Sequence, residues 1–201
     1  MLISIKTDFA GVQKALDEMQ RGVREKALAS AINKTMEQAR TQMTREITSE
    51  YSVDRAYVRD RLRIRRASFK AGVFGMSAEL VGGDGKKRSA NMIRFVNKFV
   101  TMAEIRKAAK KGTTPQLQFK VRKTGGKKVI TGAFIGNNGR TVFIRTTDKR
   151  LPIKAVQTID VASMFNQRRI NARVVGLINE KFPELFAREA RYFTDKFNGK
   201  A

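Results

Sequence analysis

Residues 23–47 read VREKALASAINKTMEQARTQMTREI, and this stretch sets the architecture of the amino-terminal half of the chain. Apolar residues recur in it at helical spacing, while charged residues occupy the other faces, so we predict one long amphipathic helix. The apolar side is rich in alanine, which permits close approach of another helix or of a sheet. The apolar positions are Val23, Ala27, Ala31, Ile32, Ala39, Met43 and Ile47.

Short elements are predicted on both sides of this helix. Residues 2–6 alternate like a strand, and Thr7 or Asp8 can cap a helix that begins near Phe9. After the long helix, the apolar residues within 53–62 indicate a shorter second helix. The amino-terminal half is therefore expected to be mainly helical.

The middle of the chain predicts an antiparallel sheet, because alternating apolar segments are separated by turn residues. Gly125-Gly126 and the sequence GNNG at 136–139 supply the positive φ angles that tight hairpin turns require. We therefore expect a meander of antiparallel strands. The expected strands lie within 62–80 and at Leu117–Arg122, Val129–Ile135 and Thr141–Thr146.

The carboxy-terminal part returns to helical spacing. Apolar residues between Met164 and Ile178 form one helical stripe, and Pro183 is expected to separate a final helix containing Phe186 and Phe197. The order of helices, then an antiparallel sheet, then helices favours the α+β fold class.

The length of 201 residues favours one domain, which we expect to span residues 1–201. Residues 82–112 are expected to form a loop or arm that protrudes from it. No apolar run approaches the roughly 20 residues that cross a bilayer. The first residues lack the pattern of a signal peptide, so synthesis in the cytoplasm without export is expected.

The charge of the chain points to an anionic partner. There are 42 Lys and Arg residues against 18 Asp and Glu, which gives a net charge of +24, and there is no His and no Cys. Such an excess of positive charge favours nucleic acid as the first partner to consider. Without His and Cys most common catalytic and metal-site chemistries are absent. We therefore expect a binding or structural protein, with no enzymatic activity, cofactor or metal.

The densest basic cluster lies within residues 55–66, where arginine predominates over lysine. A guanidinium group binds phosphate or carboxylate in a bidentate manner, so the cluster predicts a contact surface. If residues 62–66 form a strand, the odd-numbered arginines share one face. The predicted DNA or partner contact residues are Arg55, Arg59, Arg61, Arg63, Arg65 and Arg66, with Lys86, Lys87 and Arg88 of a second basic cluster.

Three roles stay open for these basic residues: a contact with nucleic acid, a contact with an acidic protein, or an exposed surface that only keeps the fold soluble. No motif that reads base edges is present, so a nucleic-acid contact is expected to be independent of sequence. Phe119, Phe134 and Phe143 are expected in the core or in an interface rather than as stacking platforms for bases.

Several segments carry a family resemblance through their sequence and their order. They are ALASAINKT at 27–35, VDRAYVRDRLRIRRA at 53–67, GAFI at 132–135, RLPI at 150–153 and FPEL at 182–185. In this order they resemble the early helix, the basic stretch, the central signature and the ending of the minor tail protein Z family of lambda-like tailed phages and prophages. The resemblance covers most of the chain.

The resemblance implies a virion structural protein that completes the head-proximal end of the tail and supports head–tail joining in the neck. It implies a ring around the DNA channel, with sixfold symmetry expected, and non-specific contact with phage DNA. The implied partners are the tail terminator, tail-tube and head-completion or connector proteins, and no membrane, catalytic residue or cofactor is implied. The protein would be made in the host bacterial cytoplasm and reside in the virion. The alternative is a free RNA- or DNA-binding protein without sequence preference, for which the charge alone suffices.

Overall fold

The computed structural model describes residues 2–5, 19–68, 76–83, 89–98, 107, 110–113, 116–147 and 149–199. The helices are α1 (Arg21–Glu50), α2 (Arg55–Arg59), α3 (Val161–Phe165) and α4 (Arg168–Phe197), with a 3₁₀ turn at Met92–Phe95. The strands are β1 (Leu2–Ile5), β2 (Leu62–Arg65), β3 (Ala78–Gly82), β4 (Ala90–Asn91), β5 (Val96–Lys98), β6 (Gln118–Phe119), β7 (Lys128–Val129), β8 (Ala133–Gly136), β9 (Thr141–Arg145), β10 (Ile153–Ala155) and β11 (Gln157–Thr158). The predicted α+β class is confirmed.

Helices α1 and α4 form the frame of the molecule. Each contains 30 residues, and α1 contains the whole stretch predicted to be helical. Arg169 near the start of α4 pairs with Glu50 at the end of α1, at 2.6 Å, while Glu189 far along α4 pairs with Lys34, at 2.7 Å. These pairs show that the two helices run antiparallel.

The alanine stripe of α1 lies in the main core, as its pattern predicted. Ala27, Ala31 and Ala39 are fully buried, which is what a close-packed helix surface requires. Aromatic residues of α4, Phe182 and Phe186, belong to the same core. The main core therefore joins the two ends of the chain.

Pro183 does not separate two helices, so that prediction is wrong. Helix α4 continues through it, although proline offers no N–H group to the carbonyl of Asn179. Both residues are exposed, so water can satisfy that carbonyl, while Phe182 and Leu185 beside the proline are buried. The apolar face of α4 therefore runs without a break past the proline.

In the described part of the chain, the strands form four small antiparallel sheets rather than the single meander that we expected. The strand orders are β1-β3-β2, β5-β6-β7, β10-β9-β8 and β11-β4. The stretch predicted as one strand over Val129–Ile135 is divided into β7 and β8. Gly132, with a φ of 74°, turns the chain between them. An alternating pattern does not by itself distinguish one strand from two that are separated by such a turn.

The two predicted hairpin turns have different outcomes. Between β8 and β9, Asn137 and Asn138 both have a φ of 52° and Gly139 has 81°, as the GNNG sequence predicted. Neither Gly125 nor Gly126 has a positive φ, so the prediction is wrong there. That turn is closed by the Gly125 N–H, which donates to the carbonyl of Arg122 at 3.2 Å.

A second, smaller core lies among the sheets, where Leu117, Phe119 and Val142 are buried. The side chain of Asn91 connects this core to β4. Its Oδ1 accepts hydrogen bonds from the N–H groups of Val142, at 2.9 Å, and Ile93, at 3.0 Å. Its Nδ2 donates to the carbonyl of Val142 at 3.3 Å. One amide side chain therefore joins two sheets and starts the 3₁₀ turn.

Only part of the interval expected to form an arm is described. Within 82–112, residues 90–98 form β4, the 3₁₀ turn and β5, and Phe95 is buried in the main core. Most of the remaining interval lies outside the described residues. The same holds for Thr7, Asp8 and the helix expected near Phe9. The arm and the single-domain organisation stay predictions. None of the helices in the described ranges is long and apolar enough to cross a membrane.

Candidate functional site: the arginine surface

Arg55 and Arg59 lie one turn apart on α2 and therefore point to the same side of it. Together with Arg45 of α1 they line an open pocket of about 360 Å³, whose wall also contains Thr41 and Thr44. We call Arg45, Arg55 and Arg59 the arginine triad. The chain turns sharply between α1 and α2, and this turn brings together three cations from two helices.

The arginine triad has no carboxylate partner within the described part of the chain. All three side chains are exposed, and none forms an ion pair there, although Asp54 and Asp60 flank α2 in sequence. A guanidinium group without a partner keeps its donors available for a phosphate or a carboxylate. The triad, which joins Arg45 to two arginines of the predicted cluster, is therefore well suited to bind an external anion.

The strand β2 places its arginines as the alternation predicted. Arg63 and Arg65 are exposed. Leu62, the first residue of the strand, is buried. Arg65 lies opposite Glu79 of β3 and forms an ion pair with it at 3.0 Å. Arg63 forms no ion pair with a described residue. The two arginines of this face therefore differ in how much of their charge is available.

Arg66 is also neutralised within the fold. Its guanidinium lies 2.5 Å from the carboxylate of Glu37, which pairs in addition with Arg40 at 2.8 Å. Exposed pairs of this kind contribute little to stability, but they lower the local positive potential. Arg66 is therefore less suited to bind DNA than the sequence indicated.

Arg61 packs on an aromatic ring. Its guanidinium carbon lies 3.8 Å from the ring centroid of the buried residue Tyr57, and that of Arg94 lies 4.8 Å from the same centroid. Both contacts are within cation–π range. Arg94 and Arg45 were absent from the predicted set, because their closeness to the cluster arises only from the folded chain. The predicted Lys86, Lys87 and Arg88 lie outside the described residues.

The helix that carries Arg45 is held to α4 by a buried carboxylate, Glu189. Its side chain is 4% exposed and accepts hydrogen bonds from Lys34, at 2.7 Å, and Ser30, at 2.8 Å. Burial is the largest single influence on its pKa and raises it, but the hydrogen bonds from Lys34, Ser30 and Arg188 and the charge of Lys34 together outweigh burial. The pKa of Glu189 is therefore held below its ordinary value, and the carboxylate is charged at neutral pH.

The fold and this surface define a basic α+β protein suited to binding anions. No cluster of acidic residues that could hold a metal ion occurs among the residues described by the structure. Comparison with family models shows that the chain belongs to the prophage minor tail protein Z (GPZ) family, whose model matches residues 10–193. The protein is therefore a structural component of a phage tail and resides in the virion, and the family resemblance is confirmed. No curated protein and no solved structure matches the chain.

Proposed function

We propose that this tail protein completes the head-proximal end of the tail and supports head–tail joining in the neck. It forms a ring around the DNA channel, with sixfold symmetry expected, and contacts the tail terminator, tail-tube and head-completion or connector proteins. A ring requires a heterologous contact, in which different surfaces of neighbouring copies meet. Membership of the tail protein family supports the proposal, and no catalytic step is part of it.

The arginine triad is the observation that carries the DNA contact. Arg45, Arg55 and Arg59 are exposed and unpaired among the described residues, and they line one pocket. DNA in a channel presents closely spaced phosphates, which unpaired guanidinium groups bind without reading bases. The other predicted arginines are less available, since Arg65 and Arg66 pair with carboxylates. We therefore propose that the side of the protein that carries the triad faces the DNA. Arg63 is close to the triad in sequence.

A complementation experiment tests the proposal. Tails from a phage that lacks this protein are incubated with the purified protein and then with filled heads, and joined particles are imaged by electron cryomicroscopy. We expect joining to depend on the protein and new density to form a ring at the head-proximal end. Density at another part of the tail would contradict the proposed position. Binding to DNA without incorporation into particles would favour the alternative, a free RNA- or DNA-binding protein.

The DNA-facing side is tested on the same protein with Arg55→Gln/Arg59→Gln. The matched control is Lys127→Gln/Arg191→Gln, which removes two exposed charges elsewhere. Each neutralised phosphate contributes about −0.9 to the slope of log affinity against log salt, so the triad variant should show a slope shallower by about two. The control should keep the wild-type slope. An equally shallow slope in both variants would show that positive charge over the whole surface, rather than the triad, sets the salt dependence.

A further inference from the structure

Among the described residues, the sheet β10-β9-β8 has one face that neither core covers. Directly opposed residues share a face, and Ile135 and Val142 face the second core. The other face carries Phe134, Phe143 and, on β10, Ile153 and Ala155, which belong to neither core cluster. We call these four residues the aromatic face.

The aromatic face is preformed. The rings of Phe134 and Phe143 are 6.0 Å apart at an interplanar angle of 31°. Phe143 packs over Gly136, where an added Cβ would lie 3.1 Å from the ring, so the glycine is what lets the ring lie down on the sheet. Both rings are only half-buried, so neither lies in a core; of the two places that we expected for them, an interface stays a prediction.

Exposed apolar surface continues along β10 from the aromatic rings. Ile153 is 39% exposed, and Leu151, which precedes the strand, is 65% exposed. Contiguous apolar surface of this kind is uncommon on soluble proteins and often marks a site of protein contact. The aromatic face thus has an aliphatic side as well as an aromatic one.

The surroundings of the aromatic face are strongly basic. Residues 117–156 contain ten Lys and Arg residues and a single acidic residue, Asp148. Arg145 lies within the face itself, with its guanidinium carbon 4.9 Å from the ring centroid of Phe134. Complementary charge selects the partner of such a surface, because like charges brought together are costly.

We propose that the aromatic face docks a different protein of the virion, whose contact surface is apolar at its centre and lined with Asp and Glu. A second copy docked face to face would bring two of these basic surfaces together, which the charge opposes. Duplex DNA offers little apolar surface, and single strands need open rings for stacking, whereas Arg145 lies over Phe134 and β10 supplies aliphatic side chains. This inference goes beyond the proposed function, since it holds wherever the protein sits in the tail.

A site-specific cross-link identifies the occupant. Ile153 is replaced by a photoreactive phenylalanine derivative in assembled virions, and the cross-linked species is identified by mass spectrometry. Val175 of α4, which is 37% exposed, is the matched control position. We expect Ile153 to capture one virion protein with an acidic surface, which the control position does not capture. Capture of another copy of this chain, of nucleic acid, or of the same protein from both positions would overturn the proposal.

Charge substitutions test the chemistry of the partner independently. Ile153 is exposed, so Ile153→Glu and Ile153→Lys should both fold, as measured by circular dichroism. Incorporation into tails that lack the protein should fall at least tenfold for Ile153→Glu and clearly less for Ile153→Lys. Equal losses, or the reverse order, would exclude an acidic partner. Loss of affinity for a single-stranded oligothymidine in Phe134→Ser/Ile153→Ser would instead assign the face to nucleic acid.

Discussion

The helical frame and the sheet region of this protein are held together in different ways. The frame consists of two 30-residue helices that share the main core and several ion pairs. The sheet region meant here is formed by β5-β6-β7 and β10-β9-β8, whose strands have at most five residues, in the described part of the chain, around a core of three buried residues; the sheet β1-β3-β2 packs on the main core instead. Extended packing makes the frame robust, whereas the sheets depend on a few individual contacts.

Ala39→Glu would break the frame. Ala39 is fully buried within α1, so the new carboxylate would have no room and no partner. We expect the free energy of unfolding to fall by about 3–5 kcal/mol, the usual cost of an uncompensated buried charge. Urea unfolding measures this loss, and incorporation into tails should fall with it.

The matched control is Gln38→Glu, because Gln38 is the exposed neighbour of Ala39 on the same helix. It should change stability by less than about 0.5 kcal/mol. If both variants lost the same free energy of unfolding, helix propensity rather than packing would determine the stability of the frame. The contrast between frame and sheets would then not hold.

Glu189→Gln should weaken the frame less. The amide keeps the shape but loses the charge that Lys34 and Ser30 stabilise, at 2.7 and 2.8 Å. We expect a loss of about 2 kcal/mol at neutral pH, typical of a hydrogen bond to a charged group. Glu184→Gln, at an exposed carboxylate of the same helix, is the control and should cost much less.

The pH dependence of this loss follows from the direction of the pKa shift. The pKa of Glu189 is lower in the folded chain than its ordinary value of about 4.3. The contribution of its charge to stability is therefore fully present above that pH. The contribution is lost as the pH falls through the folded-state value. The stability difference between wild type and Glu189→Gln should therefore shrink in acid. A difference that stays constant to low pH would mean that the charge of Glu189 is not its cause.

Asn91→Ala should have the smallest effect of the three on the whole protein and a selective one on the sheets. It removes the hydrogen bonds that join Val142 to β4 and leaves its N–H without that partner. We expect about 1–2 kcal/mol of destabilisation. Hydrogen exchange should accelerate at Val142, while the amides of α1 keep their protection. Asn97→Ala, at an exposed site, is the control, and equal acceleration in the two regions would show that they unfold as one unit.

Features that depend on local pattern could be predicted from the sequence. The apolar stripe of α1 and the φ angles of Asn137 and Asn138 follow from residues close in the chain. The division of the predicted strand at Gly132 and the continuity of α4 through Pro183 could not be predicted. Each depends on how distant parts of the chain pack around that residue.

The candidate site shows the same division. The density of arginine within 55–66 predicted a basic surface, and the alternation of β2 predicted which side chains face outward. Which arginines stay unpaired could not be predicted, because Glu37 and Glu79 are distant in the sequence from Arg66 and Arg65. The half-burial of Phe134 likewise depends on which face of its sheet meets the second core.

The spacing of the ion pairs along α1 and α4 has a mechanical consequence. The pair Arg169–Glu50 lies where α1 ends and α4 begins, and the pair Lys34–Glu189 lies about four turns away along α1. A slip of one turn, about 5.4 Å, would separate both pairs together. A force that slides one helix along the other must therefore break both pairs together with the packing of the main core, so the two helices resist sliding along their length.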